Sequence, residues 1–314
     1  MKIAYLVLCH TDPQHIARLA NKVTCSTEDE VFVHVDEKSD IAPFEQALQG
    51  NAQIHVLQNR VAVYWGGYSS VEATILLFRT ALSSGTFDRF VILQGLDYPI
   101  RSNRAIHAFF EENMDKEFIR AQNISDSKDP KEKHKYSLYW YLDGGSKSLF
   151  KKVLYALNSR IFLKNGIIPH FKRNYVKDKA GRKMKIYQGS ALFGVTRSLA
   201  EYFVQFHDEN KVFNCYFRSM YAPDEAYFHT IVYNSHFIEH TPDKKAETRP
   251  NLKVMDLKNL TYFEYPVLAI LFTKKSDWPK LRDSGFLYFK KASSESKELL
   301  DYIDEQHSLE ENPS

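Results

Sequence analysis

The first hundred residues alternate short apolar runs with segments whose apolar residues recur at helical spacing. The predicted strands are "MKIAYLVLCH", "EVFVHVDEK", "AQIHVLQN" and "RFVILQGLDYPI", and the predicted helices between them are "DPQHIARLANKV", "DIAPFEQALQG" and "GYSSVEATILLFRTALSSG". Asp12 is a suitable N-cap for the first helix, and Pro13 suits its first position. Alternation at these lengths predicts an α/β fold with a mostly parallel central sheet flanked by helices.

From about residue 120 the alternation breaks, and a basic excursion occupies residues 146–185. It holds twelve Lys or Arg residues and one acid, Asp178, and it includes a helical pattern with one apolar face. Such a helix suits either contact with an anionic membrane surface or a lid packed on the protein. We expect a single domain over residues 1–304, followed by a polar tail over residues 305–314.

Composition narrows the class of protein. The chain has 314 residues, 44% of them apolar, which is enough for a large core, and its formal charge of +3 is too small to favour nucleic acid binding. Cys9, Cys25 and Cys215 lie far apart, which argues against a disulfide framework or a zinc site. No apolar run approaches the ~18 residues needed to span a bilayer. These features predict a cytoplasmic location, with any membrane contact peripheral.

Acidic residues mark the edge of the sheet where ligands gather in such folds. Asp36 and Asp97 each follow an apolar strand, at its carboxyl end. Asp224 and Glu225 follow a proline at a predicted helix start, where backbone N–H groups favour an ionised carboxylate. No Asp-x-Asp pair ends an apolar strand, so the sequence offers no obvious carboxylate clamp for Mg²⁺ or Mn²⁺. We therefore expect no metal and no cofactor.

Six segments in order resemble the core-2/I-branching β-1,6-N-acetylglucosaminyltransferase family. They are "VHVDEKS" (33–39), "VYWGGYSSVEA" (63–73), "LQGLDYPI" (93–100), "YQGSALFGVTR" (187–197), "PDEAYFHT" (223–230) and "FLYFKKA" (286–292). The resemblance covers nearly the whole chain and implies a GT-A-like nucleotide-sugar-binding fold and an inverting, metal-independent reaction. Together with the missing anchor and disulfides, it predicts a bacterial enzyme that builds a surface polysaccharide or glycolipid.

The resemblance also assigns residues to the reaction. Glu225 matches the family's catalytic glutamate, the general base that inversion requires, and Asp224 would support it or cap the helix. Lys291 matches a diphosphate-binding lysine, because fixed cations must neutralise the leaving UDP where no metal does. Lys253 stands where an arginine is usual, and since lysine lacks the bidentate fork, Arg249 is the alternative. Two exposed charges at a strand end would explain Lys290 and Lys291 equally.

Further residues match the donor and acceptor sites of the family. Asp36 is expected to hold the uridine end of the donor, and Trp65 and Gly66 to lie beside the donor sugar, although Trp65 also suits a half-buried core position. Ser69 or Ser70 would cap the next helix or bind the ligand. Asp97 is expected at the donor site, either paired or facing the cleft.

The segment "QGSALF" supplies Gly189 and Ser190, which are expected beside the acceptor. A strand bulge would require a glycine at position 189 equally well.

These observations predict a transferase that moves N-acetylglucosamine from UDP-N-acetylglucosamine to a hydroxyl group of a glycan or lipid-linked glycan. A transferase of another UDP-sugar, such as xylose, is the alternative enzyme. A catalytically silent sugar-binding module is the alternative outside enzymes, and it requires that Glu225 does not face the cleft. Salt-dependent retention on a duplex would reveal a nucleic-acid binder.

Overall fold

The computed structural model describes residues 1–129, 132, 173–247, 252, 254–264 and 271–311. The helices in these ranges are α1 (Pro13–Thr24), α2 (Ala42–Leu48), α3 (Ser69–Ser84), α4 (Asn103–Glu111), α5 (Arg197–Glu209), α6 (Lys211–Phe217), α7 (Tyr227–Tyr233), α8 (Trp278–Arg282) and α9 (Lys297–Glu311). The strands are β1 (Ile3–Cys9), β2 (Glu30–Val35), β3 (Ile54–Val56), β4 (Arg89–Gln94), β5 (Asp97–Pro99), β6 (Gln122–Asn123), β7 (Tyr175–Lys177), β8 (Lys183–Lys185), β9 (Tyr187–Gln188), β10 (Gly194–Thr196), β11 (Thr261–Tyr262) and β12 (Tyr288–Lys290).

A five-stranded sheet of order β10-β4-β1-β2-β3 forms the centre of the molecule. Strands β1, β2, β3 and β4 are parallel, and β10 joins the edge antiparallel to β4. Side chains alternate across β1, so that Leu6 packs in one apolar cluster and Tyr5 and Val7 pack in the other. Because the sheet is covered on both faces, its strands are apolar almost throughout. The mostly parallel α/β sheet flanked by helices, consistent with a GT-A-like fold, is confirmed.

Helix α1 begins as the sequence predicts. Asp12 is its N-cap, with a φ of 57° and a side-chain oxygen that accepts the N–H of His15 at 3.1 Å. Pro13 occupies the first turn. The cap places α1 directly after β1, with Ile16 and Leu19 buried against the sheet.

The predicted fourth strand, residues 89–100, is two strands in two different sheets. Strand β4 ends at Gln94, and β5 pairs with β12 in a three-stranded sheet of order β11-β12-β5. The chain turns at Gly95, where a side chain would lie 2.9 Å from Cβ of Cys9. The prediction of one strand was wrong because an apolar run does not reveal which distant strand each of its halves will pair with.

The basic excursion at 146–185 lies largely outside the described residues. Its described part, residues 173–185, contains the antiparallel hairpin β7–β8, in which Val176 and Met184 are buried. At the other end of the chain, α9 continues to Glu311, into the segment expected as a polar tail. None of the helices in the described ranges is both long and apolar enough to cross a bilayer.

Candidate active site

The carboxyl ends of β1, β2 and β4 meet at one edge of the central sheet. The N–H of Asp36 donates to the carbonyl oxygen of Cys9 at 2.8 Å, and the N–H of Gly95 donates to that of Leu8 at 2.9 Å. These bonds hold the loops that follow β2 and β4 against the end of β1. The edge is where ligands bind in open α/β sheets, as the sequence predicts for Asp36.

Asp36 is buried, and its carboxylate accepts hydrogen bonds from several donors. Its Oδ1 accepts the backbone N–H groups of Lys38 at 3.0 Å and Val63 at 3.3 Å, and its Oδ2 pairs with Nζ of Lys38 at 3.1 Å. The carboxylate therefore joins the end of β2 to the segment that leads into the Trp-Gly-Gly turn. Its contact with uridine stays a prediction.

The Trp-Gly-Gly turn contacts the loop that carries the predicted base. Gly66 has a φ of 75°, a left-handed conformation that favours glycine, and its carbonyl oxygen accepts the N–H of Ala222 at 2.9 Å. Trp65 is 75% exposed, and its ring packs edge-to-face on Tyr221 with 5.6 Å between centroids. The alternative of a half-buried core position for Trp65 is therefore wrong.

The serines after the turn do not cap α3. Tyr68 holds the N-cap position, and Ser69 is already the first helical residue. Oγ of Ser69 accepts the N–H of Tyr64 at 2.9 Å, while Oγ of Ser70 donates to the carbonyl oxygen of Gly67 at 2.8 Å. The prediction of a capping serine was wrong, because both hydroxyls hold the turn instead.

Asp224 and Glu225 lie in a single 3-10 turn, Pro223–Glu225. Ala222 enters the turn with a φ of 47°, and the carbonyl oxygen of Glu225 accepts the N–H of Gly189 at 2.8 Å. Both acidic side chains are partly buried. Helix α7 starts only at Tyr227, with Ala226 as its N-cap residue, so Asp224 is not the N-cap of that helix.

Lys290 and Asp97 are paired residues on adjacent strands β12 and β5. Asp97 is 0% exposed, and its Oδ2 accepts the N–H of Gln94 at 2.8 Å. The ammonium group of Lys290 donates to Oε1 of Gln94. Burial raises the pKa of Asp97 to about 6, against the opposing influence of Lys290 and the Gln94 N–H.

Lys290 is partly buried, which the alternative of two exposed charges did not anticipate. Burial lowers the pKa of its ammonium group, whereas the carboxylates of Asp97, Asp224 and Glu225 raise it and the charge of Lys291 lowers it further. The predicted base and a cation that could face a diphosphate thus lie within electrostatic range of each other. Sequence reasoning gave Lys290 no role of its own and missed Gln94, although a polar residue at the carboxyl end of a buried strand was a usable signal.

Lys291 follows directly on β12, and its side chain is partly buried. Its carbonyl oxygen accepts the N–H of Phe272 at 3.0 Å, which fixes the backbone at this point. The other two predicted cations, Arg249 and Lys253, lie outside the described residues.

Gly189 and Ser190 have internal packing partners. A side chain at position 189 would collide with the carbonyl oxygen of Arg120 and would lie 2.6 Å from Nε2 of His229. Ser190 is buried, and its Oγ accepts the N–H of Leu192 at 3.3 Å. Close packing within the protein is sufficient to require glycine here, and an acceptor contact stays a prediction.

Within the described ranges, no group of three or more His, Cys, Asp or Glu side chains has the geometry of a metal site. A cleft of about 470 Å³ lies at the opposite edge of the sheet, lined by Met1, Asp88, Arg89 and residues of the α5 start, and it includes none of the predicted site residues.

Comparison with known proteins shows which family the chain is similar to. The profile of the Core-2/I-Branching enzyme family matches residues 3–249. Human xylosyltransferase 2 is 26% identical over 243 residues, covering 75% of this chain and 25% of the relative. Rat xylosyltransferase 2 is 25% identical over 240 residues with the same coverage, and rat xylosyltransferase 1 is 27% identical over 126 residues, or 38% of this chain and 15% of the relative.

The chain thus spans about a quarter of the length of the xylosyltransferase 2 relatives that it matches. The family match includes the end of β2, the Trp-Gly-Gly turn, β5 and the turn that carries Asp224 and Glu225. The fold, the site at the carboxyl edge of its sheet and the match over residues 3–249 together show that this chain belongs to the Core-2/I-branching enzyme family.

Proposed function

We propose that the chain is an inverting glycosyltransferase that moves N-acetylglucosamine from UDP-N-acetylglucosamine to a hydroxyl group of a glycan or lipid-linked glycan. The observation that carries the proposal is electrostatic. Lys290, next to Lys291 in sequence, lies close enough to Asp224 and Glu225 for both carboxylates to favour its protonated form. A cation for the leaving group and a base for the attacking hydroxyl are what an inverting transfer needs in one site.

Glu225 is the proposed general base. As the acceptor oxygen attacks the anomeric carbon, the bond between that carbon and the diphosphate oxygen breaks, and the hydroxyl proton passes to the Glu225 carboxylate. The bond from Gly189 N–H to the Glu225 carbonyl oxygen and the left-handed residue Ala222 hold the turn in position. A base on a fixed turn loses little entropy when the acceptor arrives.

Lys290 and Lys291 are the proposed partners of the diphosphate. Negative charge develops on the diphosphate oxygen as the glycosidic bond breaks, and the ammonium groups of two partly buried side chains stabilise it more than they would in water. On this basis the transfer proceeds without a divalent metal. Arg249 or Lys253 would add a further cation.

Asp36 is the proposed contact for the uridine end of the donor, and Trp65 and Gly66 for its sugar. Trp65 offers an exposed aromatic surface attached to the loop of Glu225 through Tyr221 and Ala222. Aromatic rings suit the apolar faces of sugars. Gly189, Ser190 and Asp224 would contribute to the acceptor side.

A second donor, UDP-xylose, is favoured by one specific observation. The curated relatives quoted above are named xylosyltransferases. A cytoplasmic location, with peripheral contact between residues 146–185 and an anionic membrane, also remains a proposal.

A donor screen tests the function. Released UDP is measured for UDP-N-acetylglucosamine, UDP-xylose, UDP-glucose and UDP-galactose, each with a mixture of glycan acceptors and each with and without EDTA. Glu225→Gln is the inactive comparison, and Glu201→Gln, a change in an exposed carboxylate on α5, is the matched control. We expect one donor to be turned over by the wild type and by Glu201→Gln. Equal UDP release by the wild type and Glu225→Gln with every donor would contradict the proposal.

A further inference from the structure

Asp97 is a buried carboxylate whose position is set by the strand pair β5–β12. It lies opposite Lys290 in the antiparallel register, and the N–H of Ala292 donates to the carbonyl oxygen of Leu96 at 2.8 Å just beyond that pair. The carbonyl oxygen of Asp97 also contacts Nε2 of the buried His15 at 3.1 Å. The backbone around Asp97 is therefore fixed from both sides.

A short chain of hydrogen bonds leads from Asp97 to the proposed diphosphate site. Oδ2 of Asp97 accepts the N–H of Gln94, and Oε1 of Gln94 in turn accepts the ammonium group of Lys290. Gln94 is the last residue of β4, so the same turn joins the central sheet to β5. The orientation of the Gln94 side chain depends on the backbone that Asp97 holds.

The bond to Gln94 does not by itself explain a carboxylate at this position. Asparagine could offer an oxygen to the same N–H, at lower cost, because a buried charge is expensive where it is not fully paired. Oδ1 of Asp97 has no hydrogen-bond partner among the described residues. What only the carboxylate supplies is negative charge opposite Lys290.

Within the described ranges, four charged groups act on the ammonium group of Lys290. The charged groups that act on it are Asp97, Asp224 and Glu225, which favour its protonated form, and Lys291, which disfavours it. Asp224 and Glu225 are the residues proposed for the acceptor and for the proton transfer. Asp97 is thus the one acidic partner among these four groups that the proposed reaction leaves unused.

We propose that Asp97 is a positioning residue, whose charge keeps Lys290 in its cationic form and whose hold on Gln94 directs that cation to the donor diphosphate. The inference rests on the proposed function and assigns Asp97 an indirect part in donor binding. Asp97, which the sequence predicts at the donor site, would act there without touching the donor. This role agrees with its 0% exposure.

Asp97→Asn is the main test, with Asp29→Asn as the matched control. Asp29 is equally buried and also accepts a backbone N–H, that of Ile3 at 2.8 Å, but its ionic partner is His107, at the amino-terminal side of the sheet. Affinity for UDP and for uridine is measured by calorimetry from about pH 7.5 to about 9.5, well above the last pKa of a terminal phosphate at about 6.

We expect Asp97→Asn to leave uridine affinity unchanged and to move the alkaline loss of UDP affinity about one pH unit lower, because losing an opposite charge lowers the pKa of a lysine by about that much or more. In the region between the two curves, UDP affinity then falls about tenfold. Asp29→Asn should follow the wild-type curve. A purely structural role for Asp97 would weaken both ligands without moving the pH dependence.

Two further variants keep the inference testable if Asp97→Asn folds poorly. Gln94→Met removes the acceptor for Lys290 and should weaken UDP binding while sparing uridine. In a Lys290→Met background, Asp97→Asn should have no additional effect on UDP affinity, because the charge it supports is already gone.

The outcomes separate the two proposals. A wild type that binds neither UDP nor uridine overturns the proposed function and this inference together. A wild type that binds UDP, with an unchanged pH dependence in Asp97→Asn or an unchanged UDP affinity in Gln94→Met, overturns this inference alone.

Discussion

The buried carboxylate of Asp97 should make the protein less stable than its asparagine variant at neutral and alkaline pH. Burial raises its pKa from 3.8 to about 6, so the folded state disfavours the ionised form. Two pKa units correspond to about 3 kcal/mol. Asp97→Asn removes that cost without creating a cavity, because the two side chains have nearly the same size.

The pH dependence of this stability difference follows from proton binding to Asp97. Between pH 3.8 and about 6 the folded protein holds the Asp97 proton and the unfolded chain does not, so wild-type stability falls as pH rises through this window. Above about pH 6 the loss is complete. Asp97→Asn should therefore gain up to about 3 kcal/mol over the wild type at pH 8 and almost nothing near pH 4.

Urea unfolding of both proteins at pH 8, 6.5, 5 and 4 measures the difference directly. Asp29→Asn is the comparison, and it should lose stability near neutral pH, because it leaves His107, whose pKa Asp29 raises, without its partner. A difference between Asp97→Asn and the wild type that does not change with pH, or a less stable variant at pH 8, would refute the reasoning. A variant that is more stable yet binds UDP less well would show that Asp97 serves the site at the expense of the fold.

The other predictions concern the proposed chemistry. Glu225→Gln should lower turnover by ~10² to 10⁴ with donor affinity little changed, and Asp224→Asn should lower it far less; a Glu225→Gln enzyme with more than about a tenth of wild-type turnover is not compatible with a lost base. Transfer should persist in excess EDTA, and activity that disappears with EDTA and returns with Mn²⁺ would contradict the metal-independent mechanism. Lys291→Ala should weaken UDP binding and turnover while the melting temperature stays constant, and unchanged affinity in calorimetry would return it to a surface role. Trp65→Ala should raise the KM for the donor more than Trp65→Phe does, with little effect on stability because the side chain is 75% exposed, and equal KM values would remove it from the sugar site.

The membership of the family was predictable from the sequence because its motifs are local. Each of "VHVDEKS", "VYWGGYSSVEA" and "PDEAYFHT" is a short run that can be recognised by its residue types and their order, without knowledge of the fold. The identity of the donor was not predictable in this way. It depends on the shape of a pocket built from several segments, and a difference between sugars is a matter of a few contacts.

The alternation of strands and helices up to β4, and the start of α1 at Asp12, were determined by the sequence alone. The regular spacing of apolar residues and the capping of a helix depend on residues that are neighbours along the chain. Both can therefore be recognised without tertiary information. Only the tertiary structure decided that the run from 89 to 100 divides between two sheets, that β5 pairs with β12, and that Lys290 consequently lies beside the buried Asp97. These features arise from pairing across almost two hundred residues of chain, and register, burial and charge compensation are properties of the pair rather than of either segment.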